Sequence, residues 1–237
     1  PPPPPPPPPI FFQPHPAIRP RRPSRGLGDV YKRQDELISL AKEISPEPDL
    51  REYDALVSTG EQVSVALLAM ALLKRGIKGK SYTAYQLGIK TNSSHSHARI
   101  LDVDAEKIKK ELKEGIVPVI TGFQGMNELG DITTLGRGGS DTTGVALAVA
   151  LKADECQIYT DVDGVFTTDP RVYDKAKLLK NVSFEEMLEL SSMGAKVLQL
   201  RAVEYASKFN MPIRVPVSYT HIRAHETDSY LVCRVLI

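Results

Sequence analysis

The sequence predicts an α/β protein, with a mainly parallel sheet covered on both faces by helices. Three observations lead there. Apolar runs of strand type at 117–123, 156–160 and 211–215 alternate with segments of helical type at 35–44, 63–73 and 184–190, an order that builds parallel sheets. A glycine-rich stretch, residues 131–144, separates the first of those runs from an Ala/Leu/Val-rich segment at 145–153, which makes it the corner of a strand–turn–helix unit. Finally, 237 residues at 41% hydrophobic content suffice for one large α/β domain or two small ones.

Each element follows from local pattern. Residues 35–44 (DELISLAKEI) space apolar side chains helically and begin with acid at the positive helix end. Pro46 and Pro48 break that helix. Residues 51–57 lead into Ser58-Thr-Gly-Glu61, and 63–73 read as a buried helix that stops at Lys74, Arg75 and Gly76. A strand and turn are expected over 80–87, and a polar loop over 91–97. His95 and His97 in that loop have no Cys, Asp or Glu between them, so a solvated loop is adopted over a metal site. Residues 106–114 read as a charged, solvent-facing helix. After the central stretch, 156–160 is a short strand entering Asp161-Val-Asp-Gly164, and Asp161, Asp163 and Asp169 lack the spacing of a calcium loop. Helices at 184–190 and 195–209 and a strand at 211–215 complete the order. No internal repeat is visible.

The chemistry concentrates in Asp131-Ile-Thr-Thr-Leu-Gly-Arg-Gly-Gly-Ser-Asp-Thr-Thr-Gly144. Gly136, Gly138 and Gly139 permit a sharp turn close to a ligand. Ser140 and Asp141 are candidate N-caps for the following helix. Free N–H groups and a positive dipole end suit phosphate there, with Gly138 and Gly139 closest. The loop also carries a guanidinium, Arg137, and a carboxylate, Asp141. A loop that only bound phosphate would gain nothing from the carboxylate. A loop that moves a phosphoryl group onto an acceptor uses both. The plainer alternative is an ordinary strand–turn–helix corner with a capping Asp.

The two ends differ from the middle. Residues 1–34 hold 13 of the 19 prolines and 6 of the 30 Lys and Arg, with one acid, Asp29. That composition is a polyproline II or disordered tail. Asp29-Val-Tyr-Lys-Arg-Gln34 can be encoded by GATGTGTATAAGAGACAG, and Val217-Ser-Tyr-Thr-His221 by GTCTCTTATACACAT. The two strings are reverse complements, one frame apart, and resemble the end of a transposon-based sequencing adapter. Residues 1–34 and 217–237 are therefore expected to be translated artefact, and different codons at both places in the nucleotide record would exclude this. Residues 35–216 hold 22 basic and 26 acidic residues, a net of −4. The overall +1 comes from the tails, so no nucleic-acid partner is inferred. No apolar run was found at transmembrane length, so no membrane partner is inferred. Two cysteines, Cys156 and Cys233, give no disulfide framework and suit a reducing cytoplasm.

Several blocks then coincide in order: Ser58-Thr-Gly-Glu61, Thr133-Thr-Leu-Gly-Arg-Gly-Gly-Ser-Asp141, Tyr159-Thr-Asp-Val-Asp-Gly-Val-Phe-Thr-Thr-Asp-Pro-Arg171 and Met193-Gly-Ala-Lys-Val-Leu198. Together they resemble the aspartate kinases of the amino-acid-kinase family, over essentially all of 35–216. The resemblance implies an αβα sandwich of the carbamate-kinase-like type. It also implies transfer of a phosphoryl group from ATP, with Mg²⁺, to the β-carboxylate of L-aspartate, in a homo-oligomeric cytoplasmic enzyme of lysine, threonine and methionine synthesis. Asp141 matches the catalytic aspartate, Arg137 the grip on the substrate α-carboxylate, and Glu61 the holder of the α-ammonium, with Ser140 beside them. Thr160, Asp161, Phe166, Arg171, Lys196 and Val197 match nucleotide contacts, Phe166 standing where the family often has Tyr. No metal ligands are implied.

Departures from the family pattern also carry expectations. The Lys-Phe-Gly-Gly-Thr-Ser-like first strand has no match in residues 1–34, Gln34 stands where a substrate-binding Thr is expected, and the match stops near Val215 without ACT-type regulatory domains. The chain therefore reads as an N-terminally truncated catalytic domain at 35–216, with an unpaired sheet edge. Loss of one charge-neutralising donor costs about 10²–10³ in rate, so little or no activity is expected of it. Other readings are a glutamate or uridylate kinase, a proline-rich adaptor on a degenerate domain, and a dinucleotide-binding oxidoreductase. The last is weak because Asp141 occupies the third glycine position of its fingerprint.

Overall fold

The computed structural model describes residues 30–160, 164–170, 172–195, 197–216 and 234–236, with 30–33 and 234–236 described through their backbone alone. The chain divides after Gly136 into two compact units.

The first unit opens with α1 (Val30–Ile44), which starts five residues before the expected position, and ends at the proline pair. Next comes α2 (Leu50–Val57), capped by Asp49, whose carboxylate accepts the N–H groups of Arg51 at 3.0 Å and Glu52 at 3.2 Å. After Ser58 alone, α3 (Thr59–Lys74) begins. Val65 and Ala69 on α3 pack with Val119, which lies on β4 (Val117–Ile120) beside the parallel β1 (Gly79–Tyr82). Taken together, Leu50–Lys74 is long and apolar enough to cross a membrane by length and composition. The sequence reading missed this by treating α2 and α3 as separate runs. The stretch nevertheless carries two buried carboxylates, Asp54 and Glu61.

A second sheet has the order β3-β2-β5-β6, with β2 (Ile89–Thr91), β3 (Ile100–Val103), β5 (Gln124–Met126) and β6 (Ile132–Thr134). β2 runs parallel to β5, while β2–β3 and β5–β6 are antiparallel. This corrects the expected strand at 117–123. β4 stops at Ile120, the backbone turns through Phe123 at φ 67°, and a hairpin follows. The first residues of the glycine-rich stretch are thus strand rather than loop. Between β3 and β4 lies α4 (Glu106–Lys113), which is not wholly solvent-facing as expected. Ile108 is fully buried, and Glu111 is buried against Lys80 Nζ, at 2.8 Å, and the Tyr82 hydroxyl.

The second unit contains α5 (Gly139–Leu151), β7 (Cys156–Gln157), β8 (Asn181–Ser183), α6 (Phe184–Ser192), α7 (Leu200–Phe209), β9 (Ile213–Arg214) and β10 (Arg234–Leu236). Its sheet order is β7-β9-β10-β8, with β7–β9 and β8–β10 parallel and β9–β10 antiparallel. Val145 and Ala148 of α5, Met187 of α6, and Ala202, Val203 and Ala206 of α7 share one core with Ile213. The expected helix over 195–209 begins only at Leu200, because Gly194 at φ 101° and the extended Gln199 interrupt it. Among the described residues four of the seven strand pairings are parallel, consistent with a mostly parallel α/β fold.

Gly125 on β5 faces Thr91 so closely that an added Cβ would overlap its methyl group and lie 3.0 Å from the Ile89 carbonyl. Gly125→Ala is expected to lower stability by about 1–3 kcal/mol, read from the midpoint of urea unfolding. An unchanged midpoint would show that the two strands can separate freely.

Candidate active site

In the second unit the candidate residues gather at the start of α5. The N-cap is Gly138 at φ 73°, ψ 15°, a left-handed conformation natural to glycine. The glycines start the helix two residues earlier than expected, so Ser140 and Asp141 lie inside its first turn rather than capping it. The first intrahelical bond runs from Thr142 N–H to the Gly138 carbonyl at 3.2 Å. The earlier N–H groups have no partner within the helix and form a positive end suited to an anion.

Gly138 also touches the segment that precedes α7. A Cβ there would lie 2.6 Å from Gln199 Cδ. Gln199 is the N-cap of α7, and its backbone N–H donates to the Asp141 carboxyl. Asp141 therefore stands where the starts of α5 and α7 converge. Burial raises its carboxyl from 3.8 to about 6, and the Gln199 hydrogen bond opposes that rise. The same environment pushes the buried Cys156 thiol up to about 12, first through burial and then through the charges of Asp141 and Glu155, so this thiol is no nucleophile.

In the first unit, Glu61 stands in the opening turn of α3. It is 6% exposed. Among the described residues its carboxylate accepts one hydrogen bond, from Gln34 Nε2 at 3.4 Å, and no cation pairs with it. Burial alone raises its carboxyl from 4.5 to about 7. The turn that carries it is pinned, because Gln124 Nε2 on β5 donates to the Ser58 carbonyl at 3.1 Å.

Asp54, on α2, is fully buried and was missed in the sequence. It accepts from Ser96 N–H at 2.9 Å, Ser96 Oγ at 3.2 Å, Thr134 N–H at 3.0 Å and Thr134 Oγ1 at 2.5 Å, with His95 Nδ1 at 3.0 Å. One signal could have found it. Asp54, Val57, Ser58 and Glu61 recur at i, i+3, i+4 and i+7, one helical face, and all four are buried. The expected polar loop is found over 92–97, with Ser93, Ser94 and His97 exposed, but Thr91 belongs to β2 and His95 is tied to a buried carboxylate. Among the described residues no group of three His, Cys, Asp or Glu could hold a metal.

The other expected residues are dispersed. Arg137 is exposed and Ser140 partly buried. Thr160 donates its N–H to the Pro216 carbonyl at 3.3 Å. Phe166 forms an antiparallel bridge with Leu178. Val197 packs against the core of the second unit, two residues before Gln199. Asp161, Arg171 and Lys196 lie outside the described residues.

A family model places this α/β fold and its glycine turn. The model described as the amino acid kinase family matches residues 21–215, and the chain belongs to that family. Within the family, an aspartate kinase of Stutzerimonas stutzeri strain A1501 is 63% identical over 185 residues, which cover 78% of this chain and 45% of that protein. Among solved structures, the aspartate kinase of Synechocystis superposes with a TM-score of 0.72 at 44% identity, covering 86% of this chain and 32% of that one. The E. coli aspartokinase III complex with aspartate and ADP gives 0.71 at 30% identity, covering 90% and 48%. The chain thus spans about half the length of the curated relatives it matches.

Glu61 sets a pH signature. Its folded carboxyl titrates near 7 rather than 4.5, so the folded chain keeps a proton that the unfolded chain releases between those values. The associated stability is full below 4.5 and lost as pH rises through 7. Glu61→Gln removes the titration. It is expected to be more stable than wild type by about 1–3 kcal/mol at pH 8 and equal to it near pH 4, read from thermal melts at both pH values. Equal melts at pH 8 would show that the carboxylate is not held at a cost.

Proposed function

We propose that this chain carries part of the phosphoryl-transfer machinery of an aspartate kinase, enough to bind the substrates of the parent enzyme. In this reaction a β-carboxylate oxygen of L-aspartate attacks the γ-phosphorus of ATP, the bond to ADP breaks, and 4-phospho-aspartate forms. The observation that carries the reading is Glu61. A carboxylate buried with one long amide contact and no cation among the described residues is costly unless a cation arrives, and an amino acid's ammonium is such a cation. The E. coli relative solved with aspartate and ADP at 30% identity supports both substrates.

The roles follow from the chemistry of each group. The acceptor carboxylate is ionised at neutral pH, so the task is positioning and charge neutralisation rather than strong base catalysis. Arg137 offers a planar fork for the α-carboxylate, and Glu61 takes the ammonium. Together the two clamps select an amino acid over a plain dicarboxylate. Gly138, Gly139 and the start of α5 offer N–H groups to phosphate oxygens, with Ser140 beside the acceptor. Asp141 orients the reacting groups and, titrating near 6, is charged at neutral pH. Thr160, Asp161, Phe166, Arg171, Lys196 and Val197 complete the nucleotide side. Mg²⁺ would arrive on the nucleotide, held mainly by its phosphates as this ion prefers, and would neutralise their charge. The parent enzyme is a homo-oligomer in this reading.

Pairing Glu61 with an ammonium must expel the proton it holds for part of the time near pH 7. Calorimetric titration with L-aspartate at pH 7, in two buffers of different ionisation enthalpy, is expected to report release of up to about half a proton per site. Glu61→Gln should release none and bind at least about tenfold more weakly. Succinate, which lacks the ammonium, should release none. Failure of the wild type to bind either L-aspartate or ADP would remove the proposal.

A further inference from the structure

We propose that Asp54 is a positioning residue that fixes the turn from which Arg137 departs, acting through the loop at 93–97. The inference rests on the aspartate-kinase reading above only for what Arg137 grips. The geometry lies wholly within the first unit.

Asp54 draws together three separate pieces of chain. From α2 its two carboxylate oxygens reach residues 41, 42 and 80 positions away in sequence, on the loop and on β6. A structural core would not need this, since a buried carboxylate is seldom more stabilising than an apolar side chain of its size. What the carboxylate provides is a fixed geometry. Ser96 donates both its N–H and its hydroxyl to it, and Ser96 sits at φ 64°. A non-glycine residue held in that region is strained and persists only where its surroundings hold it. The neighbouring residues continue the contact. Ala98 N–H donates to the Thr134 carbonyl at 2.9 Å, and Leu135 N–H to the Phe123 carbonyl at 2.9 Å.

The strained Ser96 then meets the turn itself. A Cβ on Gly136 would lie 2.8 Å from the Ser96 carbonyl oxygen and 3.0 Å from His97 Nδ1. Gly136 has φ 76°, and its covalent successor is Arg137. The path is short: Asp54 holds Ser96, Ser96 and His97 close over Gly136, and Gly136 sets the direction in which the chain leaves the unit. This also gives the His95 and His97 pair a place. His95 is one of the donors facing Asp54, and His97 is one wall of the turn.

Asp54→Asn keeps the shape but turns half the acceptor surface into a donor facing N–H and O–H groups that also donate. Two readouts test it on the whole chain. Hydrogen–deuterium exchange without ligand is expected to speed up at least tenfold in peptides spanning 93–98 and 135–139, while β4 at 117–120 keeps its wild-type rate. Calorimetry is expected to show L-aspartate binding weakened at least tenfold and ADP binding changed less than twofold. If Asp54→Asn does not fold, Ser96→Ala, which removes one hydroxyl donor, is expected to give the same pattern at reduced amplitude. Wild-type exchange at 135–139 in whichever variant folds overturns the proposal. So does acceleration that includes 117–120 equally, which would mark general loosening. If the wild type binds no L-aspartate, the aspartate-kinase reading fails alone, and the exchange data still decide whether Asp54 sets the turn.

Discussion

Buried carboxylates must find donors or a cation, and that requirement organises both units. The buried Asp54 and Glu61 and the half-buried Asp141 meet it to different degrees. Asp54 is met by main-chain and hydroxyl donors from β6 and the 93–97 loop, with His95 Nδ1 beside them. Asp141 has one N–H from Gln199 and the positive starts of two helices, and titrates near 6. Glu61 has, among the described residues, one long amide contact and titrates near 7. The gradient runs from structure to chemistry, because the least satisfied group has the most to gain from an incoming partner.

The elements around these groups make sense as supports. α2 and α3 form nearly one rod, pinned at Ser58 by Gln124 and along its side by Asp54. The rod delivers Glu61 at a helix start rather than on a loose loop. In the second unit α5 and α7 share an apolar core, so the point where their first turns converge is set by packing that has nothing to do with chemistry. A site carried on helix starts inherits the rigidity of the helices.

Much of this was legible in sequence, and the failures have physical causes. The glycine stretch drew notice because it carries both Arg137 and Asp141, whereas Glu61, an ordinary acid for a helix start, stood out only through the resemblance to the family. Helix existence was read correctly wherever apolar periodicity was long, as in α3 and α5. Four strands were not: β2, β3, β6 and β8 mix polar and apolar residues and stand in no run of strand type, unlike the equally short β7 and β9. Helix starts were displaced at α5 and α7 because the conformations of Gly138 and Gln199, not the apolar pattern, decide them. Asp54 and Gln124 escaped notice because a polar residue inside an apolar helix or strand announces itself only once its distant partners are known. Those partners lie up to 80 positions away for Asp54 and 66 for Gln124.

The unmet charge of Glu61 has a bearing on laboratory evolution. A screen that rewards heat resistance alone would favour neutral side chains at position 61. On the proposed reading those sturdier molecules would no longer tell an amino acid from a plain dicarboxylate, durability and recognition would pull on this one residue in opposite directions, and a selection meant to improve the protein would have to include L-aspartate from the first round.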